Sequence, residues 1–210
     1  SSPSNRKFNI KKAANALNGK VIQPGEIFDF NRIVGPTSQA TGYRNAKVIT
    51  DGEFVDGYGG GVCQVSSTLF NAALNSGMDI VQRRNHSLRI SYYPAGYDAA
   101  VNYGSLNFKF KNTYKVPVKI KATADNKNIT IELVALQDTT KKVVSLSREK
   151  KGDNTFVISR KIKENKSISY ELYQERKKVP YKIDVNFYPK GEKTKVVWRV
   201  NTPKYPLLLR

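Results

Sequence analysis

From Leu106 onward the apolar side chains fall on every second position, and a chain with that period can bury them only by making β-sheet. Leu106, Phe108 and Phe110 alternate with polar residues, as do Val116, Val118 and Ile120, then Ile129, Ile131 and Leu133. A period of two sends successive side chains to opposite faces of a strand, so one face goes to a core and the other to water. The pattern predicts an antiparallel meander. Past about residue 138 the chain stays β-like but turns more basic. Val143-Val144, Phe156-Val157-Ile158, the run Ile168, Tyr170, Leu172, Tyr173, and Val196-Val197-Trp198 are the strand segments there, with Glu164-Asn165-Lys166 as the expected hairpin turn.

The first half reads differently. Phe8, Ile10, Ala13, Ala14 and Leu17 recur at helical spacing, which predicts a short amphipathic helix over residues 5–18, stopped at Gly19. Val21-Ile22 and Ile27 to Phe30 flank a Pro24-Gly25 turn, and Gly35-Pro36 breaks the chain again. Lys47-Val48-Ile49, the turn signal Asp51-Gly52 and Phe54-Val55 follow. Residues 62–76 form the clearest helix, with Val62, Val65, Leu69, Ala72 and Ala73 on one face and Gly77 at the end. Ile80-Val81 begins a strand leading to His86, and Tyr92 to Gly96 is loop-like. The fold class is therefore α+β. It is mostly antiparallel β, with a central helix bearing Cys63 at its N-terminus, a short N-terminal helix and a β-rich C-terminal extension. The expected division is residues 1–137 as the catalytic unit and 138–210 as a basic extension of unassigned role.

Thirty-six Lys and Arg stand against 17 Asp and Glu, a net charge of +19, which draws anionic partners by long-range attraction. Anionic cell-wall polymers fit that field. Nucleic acid is not expected, because no recognition motif or basic helix accompanies the charge. One Cys and one His among 210 residues exclude an intramolecular disulfide and fall short of the four ligands of a structural zinc, so neither metal nor cofactor is expected. No run reaches the ~18 apolar residues of a membrane span, and no secretory apolar stretch opens the chain. Any leader or anchor is expected upstream of Ser1, so membrane association would come only through it.

The chemistry concentrates in Tyr58-Gly59-Gly60-Gly61-Val62-Cys63-Gln64-Val65-Ser66-Ser67-Thr68-Leu69-Phe70. Three glycines let the backbone turn sharply and approach a ligand closely. The helix follows at once, so Cys63 falls in its first turn, where free N–H groups and the positive dipole end favour the thiolate. N–H groups around Gly61 and Gln64 are candidates to hold an oxyanion. A Cys nucleophile needs a base, and His86 is the only imidazole. Asp98 is the first choice to orient it, ahead of any other carboxylate. The expected geometry has Cys63 opening a helix, His86 coming from the adjoining sheet, and Asp98 on the far ring nitrogen. Arg44, Arg83 and Arg84 are candidate clamps for a substrate carboxylate. Tyr58 and Ser66 complete the candidate substrate contacts.

Asn31-Arg32-Ile33-Val34-Gly35-Pro36, Thr41-Gly42-Tyr43, the run Gly59 to Ala72, Asn85-His86-Ser87 and Tyr93-Pro94-Ala95-Gly96-Tyr97-Asp98-Ala99 together resemble the VanW family, over roughly residues 5–135. Its name comes from glycopeptide-resistance gene clusters. Some clostridial members are implicated as L,D-transpeptidases, which join peptidoglycan stems by 3→3 cross-links. The resemblance implies that Cys63 is the nucleophile, His86 the histidine and Asp98 the aspartate of such a site, acting on stem peptides through a Cys thioester. It also implies a place on the extracellular face of a bacterium, in the cell wall, tethered by an N-terminal segment. Two readings compete: a Cys peptidase or carboxypeptidase acting on stem peptides, and a non-catalytic wall-binding module.

Overall fold

A computed structural model describes residues 3–50, 52–88, 90–94, 96–137, 139–150, 155–168, 171–177 and 194–199. The first helix, α1 (Pro3–Leu17), begins with a proline, which its first turn tolerates, and buries Asn9, Ala13, Ala14 and Leu17. Phe8 does not join that face: it is 37% exposed and lies beneath the guanidinium of Arg44. Short strands β1 (Val21–Ile22) and β2 (Ile27–Asp29) follow. Phe30, read from the sequence as the end of a strand, instead opens a one-turn helix, α2 (Phe30–Val34), because the Asp29 carboxylate accepts from the Arg32 N–H and caps it.

β3 (Asn45–Thr50) and β4 (Glu53–Tyr58) form a separate hairpin. Gly52 turns it at φ 83°, while Asp51 of the expected turn lies outside the described residues. α3 (Val62–Asn75) then runs through the core. Gly77, at φ 77°, lets the Met78 N–H close back on the Ala73 carbonyl and ends the helix. Burial extends around nearly all of α3, beyond the one apolar face that the spacing predicts, and takes in Gln64, Ser66, Ser67, Thr68 and Asn71. Cys63 is one of the few α3 residues that remain partly exposed.

β5 (Asp79–Gln82) and β6 (Lys109–Lys111) pair, and β6 also pairs β2. The expected meander is interrupted at this point. Phe108 and Phe110 sit in or beside β6, while the next alternating runs form β7 (Val118–Ala124) and β8 (Ile129–Ala135) in a different sheet. The Asn112 side chain turns the chain between them by donating to the Ile22 and Val116 carbonyls, both at 3.0 Å. Every second residue of β7 and β8 is buried as the alternation predicts: Val118, Ile120, Ala122, Ile129, Ile131, Leu133 and Ala135. Stacked rings (Phe28 on Phe110 at 5.0 Å, Phe108 on Phe110 at 5.6 Å) and an edge contact of Phe70 with Phe108 at 5.7 Å join the small sheet to α3. Each such fully buried apolar side chain contributes roughly 1.5–3 kcal/mol.

β9 (Thr140–Lys150), β10 (Thr155–Ile168) and β12 (Thr194–Arg199) form a three-stranded sheet, and β11 (Glu171–Lys177) adds to β8. All strand pairs are antiparallel. The hairpin expected at Glu164-Asn165-Lys166 does not form. β10 runs straight through it, and only a register shift between Asn165 and Ile168 marks the place. Tyr170 of the expected strand lies outside the described residues. The long strands grip α3 from its C-terminal side. Buried Arg160 of β10 donates from Nη1 to the Leu74 carbonyl at 3.1 Å and the Met78 carbonyl at 2.9 Å. A buried guanidinium at the end of a helix adds a donor to its carbonyls and suits the negative dipole end.

Candidate active site

Cys63 owes its position to the glycine run. At Gly60 a Cβ would stand 2.5 Å from the Lys47 carbonyl oxygen and 2.7 Å from the Ala46 Cβ, so any side chain would push β3 away. Gly61 caps α3 at φ 108°, a conformation that L side chains rarely adopt. Fully buried Asn9 of α1 ties the same loop down, donating to the Gly60 carbonyl at 3.1 Å and the Arg44 carbonyl at 2.9 Å and accepting from the Arg44 N–H at 2.8 Å.

The buried hydroxyls of α3 hold the chain segment that faces it. Ser66 Oγ donates to the Ala99 carbonyl at 2.6 Å, the Ala99 N–H donates to Ser67 Oγ at 2.9 Å, and Asn71 Nδ2 donates to the Tyr97 carbonyl at 2.6 Å. Those bonds lay residues 97–101 along the helix and bring Val101 against Cys63. The thiol Sγ donates to the Val101 carbonyl at 3.3 Å, and Sγ accepts from the Val101 N–H at 3.5 Å. The two contacts suit the two protonation states, with the N–H favouring the thiolate.

His86 and Asp98 lie on either arm of the loop system beyond β5. Asp98 Oδ2 accepts from both the His86 backbone N–H and ring Nδ1, each at 2.7 Å. Oδ1 accepts from Arg83 Nη2 at 3.0 Å and the Gly96 N–H at 3.1 Å. With Nδ1 bound to the carboxylate, Nε2 is left facing the cleft side, where the Tyr92 hydroxyl is 3.3 Å away. The imidazole and Cys63 line the same cleft, and each shifts the protonation of the other. His86 comes from the loop after β5 rather than from the sheet itself.

Burial and charge oppose each other at each group, and charge wins. Burial pushes the Cys63 thiol up, but the hydrogen bond and charge of His86, the Val101 N–H and the charge of Arg6 together bring it below its ordinary value. Burial pulls His86 down, yet hydrogen bonds to Asp98 and Cys63 and their charges raise it to about 9. Asp98 is pushed up by burial and brought to about 2 by the His86 hydrogen bond and the Arg83 charge. A thiolate–imidazolium pair backed by an ionised carboxylate is the state this arrangement favours.

The pair opens on a cleft of about 660 Å³ whose wall includes Arg6, Tyr58, Gly61, Gln64, Arg84 and Val101. Tyr58 and Arg84, candidate substrate contacts, line this cleft. Three other expectations are corrected. Ser66 is fully buried and bound to Ala99, so it holds the backbone and cannot touch a substrate. Arg83 is 2% exposed and serves as the counter-charge of Asp98, so it is no substrate clamp. Arg44 stacks over Phe8 at 3.8 Å, outside the cleft wall. The oxyanion candidates divide. The Gln64 N–H is spent on the Gly61 carbonyl at 3.0 Å, while among the described residues the N–H groups of Gly61 and Cys63 have no protein acceptor.

Sequence reading missed Arg6 and Tyr92. Both stand beside Cys63 only because α1 and the 83–100 loops fold against the mouth of α3, and no local spacing signals that. Among the described residues no group of three or more His, Cys, Asp or Glu could hold a metal, and no helix is long and apolar enough to cross a membrane.

Comparison with known proteins supplies a family. The pattern of the VanW-like protein family matches residues 5–134. The uncharacterized protein YoaR of Bacillus subtilis (strain 168) is 45% identical over 122 residues, which is 58% of this chain and 40% of that protein. The vancomycin B-type resistance protein VanW of Enterococcus faecalis (strain ATCC 700802 / V583) is 34% identical over 130 residues, 60% of this chain and 47% of that protein. The match therefore spans less than half the length of either relative. No solved structure matches the chain.

Proposed function

The chain belongs to the VanW-like family, and from that premise we propose that it is a peptidoglycan L,D-transpeptidase that forms 3→3 cross-links through a Cys63 thioester. The observation that carries the reading is the Cys63–His86–Asp98 array: a thiol lowered by an imidazole, itself fixed by a buried carboxylate, at the edge of an open cleft. The Enterococcus relative is a vancomycin resistance protein, which supports a role for this chain at the cell wall.

In the proposed reaction the Cys63 thiolate attacks the carbonyl carbon of the third stem residue. The oxyanion is held by the N–H groups of Gly61 and Cys63, which have no protein acceptor among the described residues. The C–N bond to the terminal D-Ala breaks, and the departing amine takes its proton from His86 Nε2. The side-chain amine of a second stem's diamino acid then attacks the thioester, returns a proton to His86 and releases the thiolate. Arg84 and Tyr58 hold the stem in the cleft, and the +19 charge suits work among anionic wall polymers. The protein would work on the outer face of the cell.

Product analysis tests the reading. Incubation with tetrapeptide-stem muropeptides should release D-Ala and yield 3→3 linked dimers, and Cys63→Ala should yield neither. D-Ala release without dimers would replace the transferase with a peptidase. Binding without any product would leave a wall-binding module.

A further inference from the structure

Arg6 lines the cleft that holds Cys63, and its charge helps to lower the thiol. Its Nη2 donates to Gln64 Oε1 at 3.0 Å and its guanidinium lies 5.5 Å over the Tyr92 ring, so it is held from two sides before any ligand arrives. The helix that carries it packs against the glycine run, with Arg6 Cγ only 3.0 Å from where a Cβ on Gly61 would be. A guanidinium has five N–H donors, and Arg6, whose Nη2 donates to Gln64, lines the cleft. The wall also holds Arg84 and Lys47, the latter paired with Asp56 at 2.9 Å, and no Asp or Glu among the described residues. The space beside Sγ is therefore an anion site.

Where the scissile amide is the last in a peptide, the departing residue carries a free carboxylate two bonds beyond the leaving nitrogen. That carboxylate must then come to rest within several ångströms of the sulfur. For an internal amide the same space receives a neutral peptide group, to which a guanidinium offers far less. We propose that Arg6 is the specificity determinant of the site: it binds the free carboxylate of the departing residue and so restricts Cys63 to the terminal bond of its donor. The inference rests on the acyl-transfer reading for the identity of the donor, but the anion site itself does not.

The test compares two alkylating reagents on the intact chain. Iodoacetate and iodoacetamide both give Sγ–CH2 bonds with loss of iodide. In iodoacetate the carboxylate is attached to the carbon under attack, so it samples the space beside the sulfur. The iodoacetamide rate corrects for any change in thiol ionisation. The iodoacetate-to-iodoacetamide rate ratio at Cys63 should exceed that of free cysteine about tenfold, as one charge-assisted contact allows. Arg6→Gln should return the ratio to within about twofold of free cysteine, and Arg6→Lys, which keeps a charge without the fork, should retain part of it. Circular dichroism of each variant confirms folding. A wild-type ratio equal to that of free cysteine, or one unchanged by Arg6→Gln, overturns the proposal, as does a fall seen only in Arg84→Gln. A second arm offers stem tetrapeptides ending in a carboxylate or a carboxamide. Failure of both donors to acylate Cys63 would count against the transpeptidase reading while leaving the reagent ratio to decide the role of Arg6.

Discussion

Asp98 holds His86 twice with a single oxygen: Oδ2 is 2.7 Å from the ring Nδ1 and 2.7 Å from the backbone N–H of the same residue. The imidazole is thereby fixed in tautomer and in direction, and the other oxygen faces the buried Arg83. The histidine, its orienting carboxylate and that carboxylate's counter-charge form one assembly that is almost wholly inside the protein.

Asp98→Asn should therefore weaken two properties at once. His86 loses the charge that raises it, so Cys63 loses much of its thiolate, and iodoacetamide labelling at pH 7 should slow by about tenfold or more. Arg83, 2% exposed, loses its counter-ion, and breaking a buried pair costs about 3–5 kcal/mol. Labelling rate and urea midpoint should fall together.

The pH dependence follows from the shifts at each group. Labelling of Cys63 should rise with pH through a value below the thiol's ordinary 9.0. Turnover should fall again as His86 loses its proton near 9, because the departing amine then has no acid. Asp98, depressed to about 2 from an ordinary 3.8, contributes stability that is present above 3.8 and is lost as pH falls through 2. Thermal unfolding from pH 6 down to 2 should show that loss, on the order of 2 kcal/mol, and Asp98→Asn should flatten it.

What was legible in the sequence is what depends on local period. α3 and its start at the glycines, and β7 and β8, follow from spacing. α2 escaped because five residues carry no period, and only the Asp29 cap makes it a helix. Ser66 was read as a substrate contact and Arg83 as a carboxylate clamp. Ala99 and Asp98, reached only by folding distant segments together, turn both inward. Glu164-Asn165-Lys166 has turn-like composition, yet β10 pairs with β9 across it, and long-range pairing overrides that local signal.

Arg160→Met should separate stability from reactivity. The substitution strips the Leu74 and Met78 carbonyls of their buried donor, at a cost of about 1–3 kcal/mol. Cys63 lies at the opposite end of α3, so its labelling rate under native conditions should stay within about twofold of wild type. A lower urea midpoint with an unchanged labelling rate is the expected result.

The central claim is that Cys63 is an acyl-forming nucleophile, and intact mass after brief incubation with a tetrapeptide-stem donor tests it most directly. Wild-type protein should gain the donor's mass less D-Ala, on Cys63 and as a hydroxylamine-labile thioester, and Cys63→Ala, still folded by circular dichroism, should gain nothing. A wild-type chain whose Cys63 labels rapidly with iodoacetamide but takes no acyl group from the donor, or a Cys63→Ala chain that still acylates, would contradict the account.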